Sequence, residues 1–403
     1  MAIHLTKKLS LALLSACAFA GAAQAGGFAR GDADTDIIYE DGTAVFRGGY
    51  TYVMPDRDYD TVNGVAGTDG AHTENYGVPS FAAKFRISDN FSCALTYTQP
   101  YGADSTYGTQ AQAADRAADV AGGGILGIAG TSNAVRSAEF DTNEYGGTCA
   151  VNFAAGKGDL YFIGGVFSQS FDYKEVKDFG TLEMSDSSEF GYRLGAAYEI
   201  KEYALRAEVM YRSQIDHNAD GTFLNASPLL QGALGIPIGA YRSARGYGSL
   251  PQSLELNLQS GIAPGWLVFG SVKWTDWSVL QSLNYTIDGI ARGGVLIPQT
   301  KDFFWRDGWT ISGGVGHTFT DTVSGALSLT WDRGVDTGAD IMSDTWTVGA
   351  GTLVKAGPGV LRLGGAVSYL TSGEQTVADG ADFNATADGD WAYAVTASYK
   401  IAF

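Results

Sequence analysis

The sequence has few basic residues and, after its first 25 residues, no long apolar segment. Its 26 Lys and Arg are outnumbered by 44 Asp and Glu, which gives a formal net charge of −18. Nucleic-acid binding is therefore not expected, because phosphate recognition needs a basic surface. No later stretch reaches the roughly 18 consecutive apolar residues that a membrane-spanning helix requires.

Signatures of catalysis and of metal binding are also missing. The chain has only four histidines and three cysteines, and their spacing matches no zinc site. It contains no phosphate-binding loop and no dinucleotide fingerprint in a strand-turn-helix setting. We therefore expect no enzyme activity, no cofactor and no metal.

The N-terminus has the pattern of an export signal. Two lysines precede an apolar run over residues 9–20, and Ala-Gln-Ala at 23–25 forms a small-x-small cleavage site. We predict a signal peptide over residues 1–25. An alternative is a lipoprotein signal in which Cys17 is lipidated, but the apolar run continues past this cysteine.

Strict alternation of apolar and polar residues dominates the rest of the chain. Residues 391–403 place Trp, Tyr, Val, Ile and Phe at odd positions, with only Ala397 as a small exception. A period of two indicates a β-strand with one apolar face and one polar face. This segment, which ends on Phe403, resembles the terminal strand of bacterial outer-membrane barrels, which the barrel assembly machinery reads.

Fourteen such segments are found, and short and long connectors alternate between them. This alternation predicts an all-β fold, a transmembrane antiparallel β-barrel with tight turns on the periplasmic side and long loops outside. An even strand number places both termini in the periplasm. The long connectors include 100–136, 173–186 and 217–249. The predicted strands are 44–55, 75–87, 91–99, 137–155, 159–172, 187–200, 203–216, 250–262, 266–288, 306–319, 323–333, 342–354, 360–371 and 391–403.

Two cysteines, Cys93 and Cys149, remain after the predicted signal. They fall on strands that we predict to be neighbours, in a compartment that permits disulfides. Because the register between strands cannot be read from the sequence, we expect two unpaired thiols rather than a disulfide.

The order of segments resembles the FadL-type family of outer-membrane transporters for long-chain fatty acids and other hydrophobic molecules. The resemblance rests on residues 189–200, 274–278, 305–307 and 398–403 and extends over nearly the whole mature chain. It implies a barrel over 44–403, closed by an N-terminal hatch over 26–43, and passive transport of a hydrophobic ligand. The hatch is about half the expected length and lacks the family's Asn-Pro-Ala stretch.

The resemblance also implies a kink in the third strand that opens the barrel wall sideways. Pro100, Tyr101 and Gly102 end the predicted third strand here. Proline removes a ladder donor and glycine tolerates unusual backbone angles, so a break at this point is physically reasonable. The alternative is that the three residues simply end the strand as a turn.

Ligand-binding candidates follow from the same resemblance. A fatty-acid carboxylate needs a basic partner, and Arg306 lies in the triplet that matches the family's inner pocket. The further candidates are the lumen cations Arg193 and Lys174 and the apolar hatch residues Phe28, Ile37 and Ile38.

The remaining expectations concern location and partners. We expect a monomer in the outer membrane of a Gram-negative bacterium, in contact with membrane lipids and with lipopolysaccharide, whose divalent cations bridge acidic groups. The expected ligand is a hydrophobic molecule such as a long-chain fatty acid. A general aqueous porin or a surface-binding barrel is the alternative function.

Overall fold

A computed structural model describes residues 26–292, 295–296 and 299–403 of the protein. The predicted signal peptide and the alternative lipidation at Cys17 lie outside these described residues. Fourteen antiparallel strands form one closed barrel, so the predicted fold is confirmed. Within the described residues, no helix has both the length and the apolar character needed to cross a bilayer.

The barrel strands are numbered here in chain order. Besides β3, four of them have an interruption toward the end of the barrel that is opposite the chain termini. The strands are β1 Ala44–Asp56, β2 Tyr76–Ser88, β3 Phe91–Thr98 and Gly102–Thr106, β4 Val135–Ala155, β5 Gly158–Lys177, β6 Gly180–Ile200, β7 Leu205–Arg212 and Ile215–Asn225, β8 Tyr241–Leu250 and Ser253–Ala263, β9 Trp266–Thr275 and Ser282–Ile287, β10 Gln299–Asp302 and Gly308–Thr318, β11 Val323–Arg333, β12 Thr345–Ala356, β13 Gly359–Leu370 and β14 Asp390–Ala402.

The first and last strands close the barrel by pairing with each other. Their register runs from Val45 opposite Ala402 to Asp56 opposite Trp391. At the lower end, the Phe403 carbonyl accepts a hydrogen bond from the Thr43 amide at 2.6 Å. The C-terminal residue therefore takes part in the closure.

Alternation along each strand separates an apolar outer face from a more polar lumen. In β8, Leu254, Leu256 and Leu258 are all exposed on the outside, whereas Gln259 is buried in the lumen. An isolated soluble barrel would not present such continuous apolar faces to water, but a barrel in lipid does. The outer belt is therefore the surface that faces the membrane.

The side of the barrel with the long connections is more ordered than the sequence predicts. The predicted long loop over 173–186 is wrong, because β5 and β6 extend past the membrane and meet in a two-residue turn at 178–179. Strands β7 and β8 likewise extend into the predicted 217–249 loop, which carries helix α2 (Pro228–Leu234). Helix α1 (Thr109–Ala121) lies in the loop after β3.

The prediction of two unpaired cysteines is also wrong. Cys93 of β3 and Cys149 of β4 lie directly opposite each other in the register and form a disulfide. The disulfide joins the lower part of β3 to β4, below the point where β3 is interrupted. It therefore fixes the strand on one side of that interruption.

The hatch fills the lumen in front of β1. Its residues Thr35–Tyr39 form a short 3-10 helix, from which Ile37 and Ile38 pack against the inner wall near Ala82 and Ile163. Ion pairs fix the same part of the hatch, since Arg47 of β1 binds Asp34 at 2.6 Å and Glu40 at 2.5 Å. The lower end of the lumen is thus closed by packed side chains.

Candidate ligand cavity and opening in the barrel wall

An internal cavity of about 320 Å³ lies above the hatch. Its volume is at the small end of the range for small-molecule sites, roughly 300–1,000 Å³. The floor is aromatic and is centred on Phe28 of the hatch. The Phe28 ring lies 4.8 Å from Phe140, 5.5 Å from Phe303 and 4.5 Å from Trp305, measured between centroids. Most of these contacts are edge-to-face, which is the favoured geometry for packed aromatic rings.

A glycine allows the hatch to reach this floor. Gly27 has φ +59°, a left-handed conformation that residues with a side chain rarely adopt. A Cβ at this position would lie 2.6 Å from an indole carbon of Trp277 and 2.9 Å from one of Trp305. Gly27 therefore turns the chain beneath the two tryptophans and places Phe28 among the aromatic rings.

The barrel wall is interrupted beside the cavity, between β2 and β3. Pairing of these strands ends where Phe81 faces Tyr97. Above this pair, the 76–80 segment of β2 pairs with β1 alone, and the upper segment of β3 pairs with β4 within the described part of the chain. Higher still, Thr73 bridges to Ser105 and closes the gap at the top. The result is an opening with defined upper and lower edges.

Two prolines border this opening. Pro79 lies in the segment of β2 that has no β3 partner, and Pro100 lies at the interruption of β3. Proline has no N–H to donate, so it is tolerated where a strand lacks a neighbour. Tyr101 turns its backbone toward β4, where its amide and carbonyl both bond the Thr142 hydroxyl. Pro100 and Tyr101 thus interrupt the strand, which resumes at Gly102.

The hatch backbone occupies the opening from the inside. The Arg30 amide donates to the Pro100 carbonyl at 2.8 Å, and the Gly102 amide donates to the Phe28 carbonyl at 2.9 Å. Ala29 and Tyr101 form an antiparallel bridge between these bonds. The 28–31 segment, here called the hatch plug, therefore continues the sheet across the interruption.

The Arg30 side chain fixes the hatch plug to both edges of the opening. Its guanidinium donates to Asp104 and to Asp141, each at 2.9 Å. It also lies over the Tyr76 ring of β2, 4.1 Å from the centroid. Arg30 thereby links β2 to the paired strands β3 and β4 at a height where the described residues of β2 and β3 form no ladder.

A second buried charge cluster supports the bent strand from the opposite side. Glu144 of β4 binds Arg193, and it also binds Arg212 at 2.7 Å. Arg212 donates to the Tyr101 hydroxyl at 3.1 Å, and both guanidinium groups lie over the Phe167 ring. Because the charges are paired and hydrogen-bonded, they can be buried in the lumen.

The upper part of the cavity is polar. His72 stacks on Tyr59 with 4.4 Å between centroids and faces Tyr107 at 6.0 Å. Burial, with a smaller contribution from Arg57, lowers the pKa of His72 to about 4, so its ring is neutral at pH 7. On another side of the cavity, Lys301 forms an ion pair with Asp382.

An acid connects the polar upper part to the aromatic floor. Both Asp340 oxygens accept from the Trp305 indole N–H, at 3.1 and 2.9 Å. Burial raises the pKa of Asp340 to about 7, although this hydrogen bond and nearby Lys301 act in the opposite direction. This carboxyl is therefore partly protonated at neutral pH.

The ligand-binding candidates from the sequence are divided by the structure. Phe28 lines the cavity, whereas the other five candidates do not. Arg306 is exposed and donates to the Gly334 carbonyl at 3.3 Å, and Lys174 lies exposed on the outer hairpin near Glu139 and Glu183. Arg193 is buried in its ion pair with Glu144.

The two hatch isoleucines, Ile37 and Ile38, are also remote from the cavity, because they belong to the packed cluster at the lower end of the lumen. The sequence reasoning missed Arg30, His72 and Lys301, although a ligand pocket was expected. Lys301 lies only five positions before Arg306. The single available signal was the position of Arg30 two residues after Phe28 in a hatch already predicted to be inside the barrel.

A closed barrel with an internal N-terminal plug is the architecture of a class of outer-membrane barrel proteins of Gram-negative bacteria, and the family match agrees with it. The family model of outer membrane protein transport proteins (OMPP1/FadL/TodX) matches residues 16–324, and the chain belongs to this family. Among curated proteins, the long-chain fatty acid transport protein of Salmonella typhi is 24% identical over 148 residues, 36% of this chain. The match spans 33% of that relative's length.

Solved structures show the same fold at low sequence identity. A FadL homologue of Pseudomonas aeruginosa has a TM-score of 0.68 and 14% identity, with 96% of this chain and 98% of that chain covered. The toluene transporter TodX of P. putida has a TM-score of 0.61 and 13% identity, with 95% and 99% covered. At these identities the likeness concerns the fold.

Proposed function

We propose that this protein is a passive outer-membrane channel for hydrophobic small molecules. A ligand enters from outside, binds on the aromatic floor around Phe28, and leaves sideways into the bilayer between β2 and β3. The observation that carries this proposal is the position of the cavity directly beside an opening that the hatch plug fills.

Transport along such a route needs no external energy source. Apolar surface leaves water when the ligand enters the cavity, at about 25 cal/mol per Å² buried, and the bilayer then offers an environment of similar polarity. The barrier is movement of the hatch plug, whose few backbone bonds and one arginine hold it in the opening. A ligand that displaces Phe28 would favour this movement.

Relatives suggest two ligand classes. The Salmonella typhi relative is described as a transporter of long-chain fatty acids and the P. putida structure as a toluene transporter. Both ligand classes are candidates for this chain. A role for Arg306, Arg193, Lys174, Ile37 or Ile38 in binding the ligand stays a proposal from the sequence.

Orientation and partners belong to the same proposal. We place both termini in the periplasm and the α1 and α2 loops outside the cell. We expect a monomer, inserted by the barrel assembly machinery and surrounded by membrane lipid and lipopolysaccharide, with no catalytic activity. If an epitope tag at Lys157 were labelled on intact cells and a tag at Ala233 were not, the proposed orientation would be wrong.

A reversible tether tests the route. Ala29 and Tyr101 are bridge partners, so Ala29→Cys with Tyr101→Cys should form a disulfide that locks the hatch plug into the opening. Cells that carry the oxidised variant should lose uptake of labelled butylbenzene and of a labelled long-chain fatty acid, and reduction should restore it. Normal uptake by the oxidised variant would refute lateral release.

A matched control uses a cysteine pair elsewhere in the wall. Thr51→Cys with Thr396→Cys joins β1 to β14 at a place where the two hydroxyls lie 2.9 Å apart. This tether should leave uptake unchanged, and it reports any effect of reducing the native Cys93–Cys149 bond. The alternative of a general porin predicts rapid swelling of protein-containing liposomes in sugars.

A further inference from the structure

We infer that the Cys93–Cys149 disulfide forms in the periplasm before the barrel enters the membrane, by oxidation of the unfolded chain. The finished barrel then holds the bond within lipid, where thiol reagents dissolved in water do not reach it. This inference concerns assembly, so it stands independently of the proposed transport function. It follows from the position of the two cysteines on the barrel and from the chemistry of disulfide exchange.

Both cysteines face away from the lumen. Successive residues of a strand point to opposite sides of a sheet, so residues two apart share a face. Ala94 and Ala150, each directly after one of the cysteines, are buried in the lower lumen cluster that also contains Ile37 of the hatch. Leu95, two residues after Cys93, is instead 58% exposed on the outer face. The disulfide therefore lies on the surface that faces lipid.

The disulfide also lies well inside the apolar band of that surface. Cys93 has Phe85 of β2, an exposed aromatic residue, as its neighbour on the other side. Along β4, Cys149 lies midway between Tyr145 and Phe153, whose side chains are both exposed on the outer face. Aromatic residues of this kind flank the apolar band of a membrane barrel at both interfaces. The two sulfur atoms are therefore surrounded by hydrocarbon once the barrel is in the membrane.

Disulfide exchange does not proceed in hydrocarbon. The attacking species is a thiolate, and a charged group is costly to place in an apolar medium. Proteins that exchange disulfides are dissolved in the aqueous compartment, so lipid separates them from a pair of sulfur atoms at this depth. Two thiols that entered the membrane reduced would therefore stay reduced. The bond that the structure contains accordingly requires oxidation before insertion.

The reaction that supplies the bond is a thiol–disulfide exchange with a protein oxidant of the periplasm. The thiolate of one cysteine attacks the disulfide of the oxidant, which forms a mixed disulfide and releases one thiol of the oxidant. The second cysteine then attacks the mixed disulfide, the Cys93–Cys149 bond forms, and the oxidant leaves as a dithiol. Two electrons pass from the cysteine pair to the oxidant, whose two sulfur atoms take up two protons. Since no other cysteine follows the predicted signal, only one pairing within the chain exists and no isomerisation is needed.

Early formation of this bond fixes how β3 pairs with β4. Between the pairs Thr98–Glu144 and Gly102–Asp141, β3 has three residues and β4 has two, so the lower and upper halves of β3 pair in different registers. A slip by one residue would turn every side chain of a segment to the opposite face. The disulfide permits only the register in which both sulfur atoms lie on the lipid face. The chain thus meets the membrane with β3 already aligned on β4 below the opening.

The reactivity of the pair in liposomes tests the inference. The chain without its predicted signal is folded into liposomes in the oxidised or the reduced state and is then exposed to reduced or oxidised glutathione. Thiols are counted after denaturation by alkylation with a maleimide. The native pair in the membrane should react at least roughly tenfold more slowly, in both directions, than the same pair in the unfolded chain in urea.

A second cysteine pair provides the matched control within a folded barrel. Lys174 and Glu183 are directly opposite each other on antiparallel strands, as the native cysteines are, but both side chains lie exposed on the outer hairpin. Lys174→Cys with Glu183→Cys, in a chain whose native cysteines are replaced by serine, should react in liposomes at a rate close to that of the unfolded chain. A slow reaction of the native pair alone then reports its position in lipid.

Pulse labelling in cells reads the order of the two events. A gel run without heating separates folded from unfolded chains, and each band is then denatured and alkylated to count its thiols. The unfolded chain should already be oxidised when the first folded barrel appears. A folded barrel that is reduced at first and oxidised later would overturn the inference, and so would a native pair in liposomes that reacts as fast as the control pair. A reduced chain that fails to insert would support it, because oxidation must then come first.

Discussion

Replacing Arg30 by Met should release the hatch plug without unfolding the barrel. The side chain of Arg30 is only 4% exposed, while its partners Asp104 and Asp141 are 22% and 47% exposed. Met keeps most of the side-chain volume over the Tyr76 ring but removes both charge-assisted hydrogen bonds. The backbone bonds from the hatch plug to Pro100 and Gly102 remain.

The magnitude follows from these contacts. A hydrogen bond to a charged group contributes about 1.5–3 kcal/mol when buried, but partly exposed partners remain solvated and reduce this value. We expect the substitution to destabilise the state in which the hatch plug occupies the opening by about 2 kcal/mol. The fraction of molecules with a released plug then rises about thirtyfold. Amides of residues 28–31 should therefore exchange with deuterium about thirty times faster, while the strands remain protected.

The assay is hydrogen-exchange mass spectrometry of the protein in detergent, combined with uptake of labelled butylbenzene by cells. Arg136→Met is the matched control, since Arg136 forms a similar pair with Asp178 at 2.8 Å but lies exposed at the start of β4, away from the hatch. Exchange of the hatch peptide that equals the control in a correctly folded Arg30→Met barrel would refute the reasoning.

Other substitutions have expected outcomes of their own. Leu256→Arg should destabilise the barrel by about 2–4 kcal/mol in a denaturant titration in lipid, and Asn257→Arg on the lumen side should cost less. Cys149→Ser should lower stability by roughly 2–4 kcal/mol, as loss of a native disulfide usually does; an unchanged unfolding midpoint would contradict this. Deletion of Phe403 removes backbone bonds to Thr43 and Ala44 and should abolish heat-modifiable mobility. Arg306→Ala tests the role proposed for this residue from the sequence: weaker binding of a long-chain fatty acid in equilibrium dialysis would support it, and unchanged binding would leave Arg306 only its hydrogen bond to the Gly334 carbonyl.

The membrane strands could be predicted because lipid imposes one rule on every residue of a strand. Outward positions must be apolar and lumen positions need not be, so the period of two persists across the bilayer. Above the bilayer this rule ends. The end of the β5–β6 hairpin is therefore predicted as a loop. In the structure, Leu182 and Met184 lie on the same face of β6 and pack into an outer cluster with Phe223.

The disulfide and the ligand-facing residues could not be predicted for a different reason. The disulfide depends on the register between strands, and the ligand-facing residues depend on local changes in which strand face points inward. Lys301 and Arg306 illustrate the dependence on the strand face. Phe304 between them has φ +51°, so the chain does not continue as a regular strand and a count of positions cannot say which side chain faces inward. Only the three-dimensional path places Lys301 in the cavity and Arg306 outside it.

The short hatch consists of two parts with different roles, and the two parts differ in the ion pairs that hold them. In the part of the hatch from residue 34 onward, Glu40 forms two ion pairs, with Arg47 at 2.5 Å and with Lys400 at 2.6 Å. Arg47 also binds Asp34. Release of this part would break several buried pairs at once, at a cost of several kcal/mol for each uncompensated charge. The hatch plug, in contrast, is held by the ion pairs of Arg30, by the ring contacts of Phe28 and by a few backbone bonds. Movement at the opening can therefore occur while the lower lumen stays closed, so a ligand can pass into the bilayer without a continuous aqueous channel.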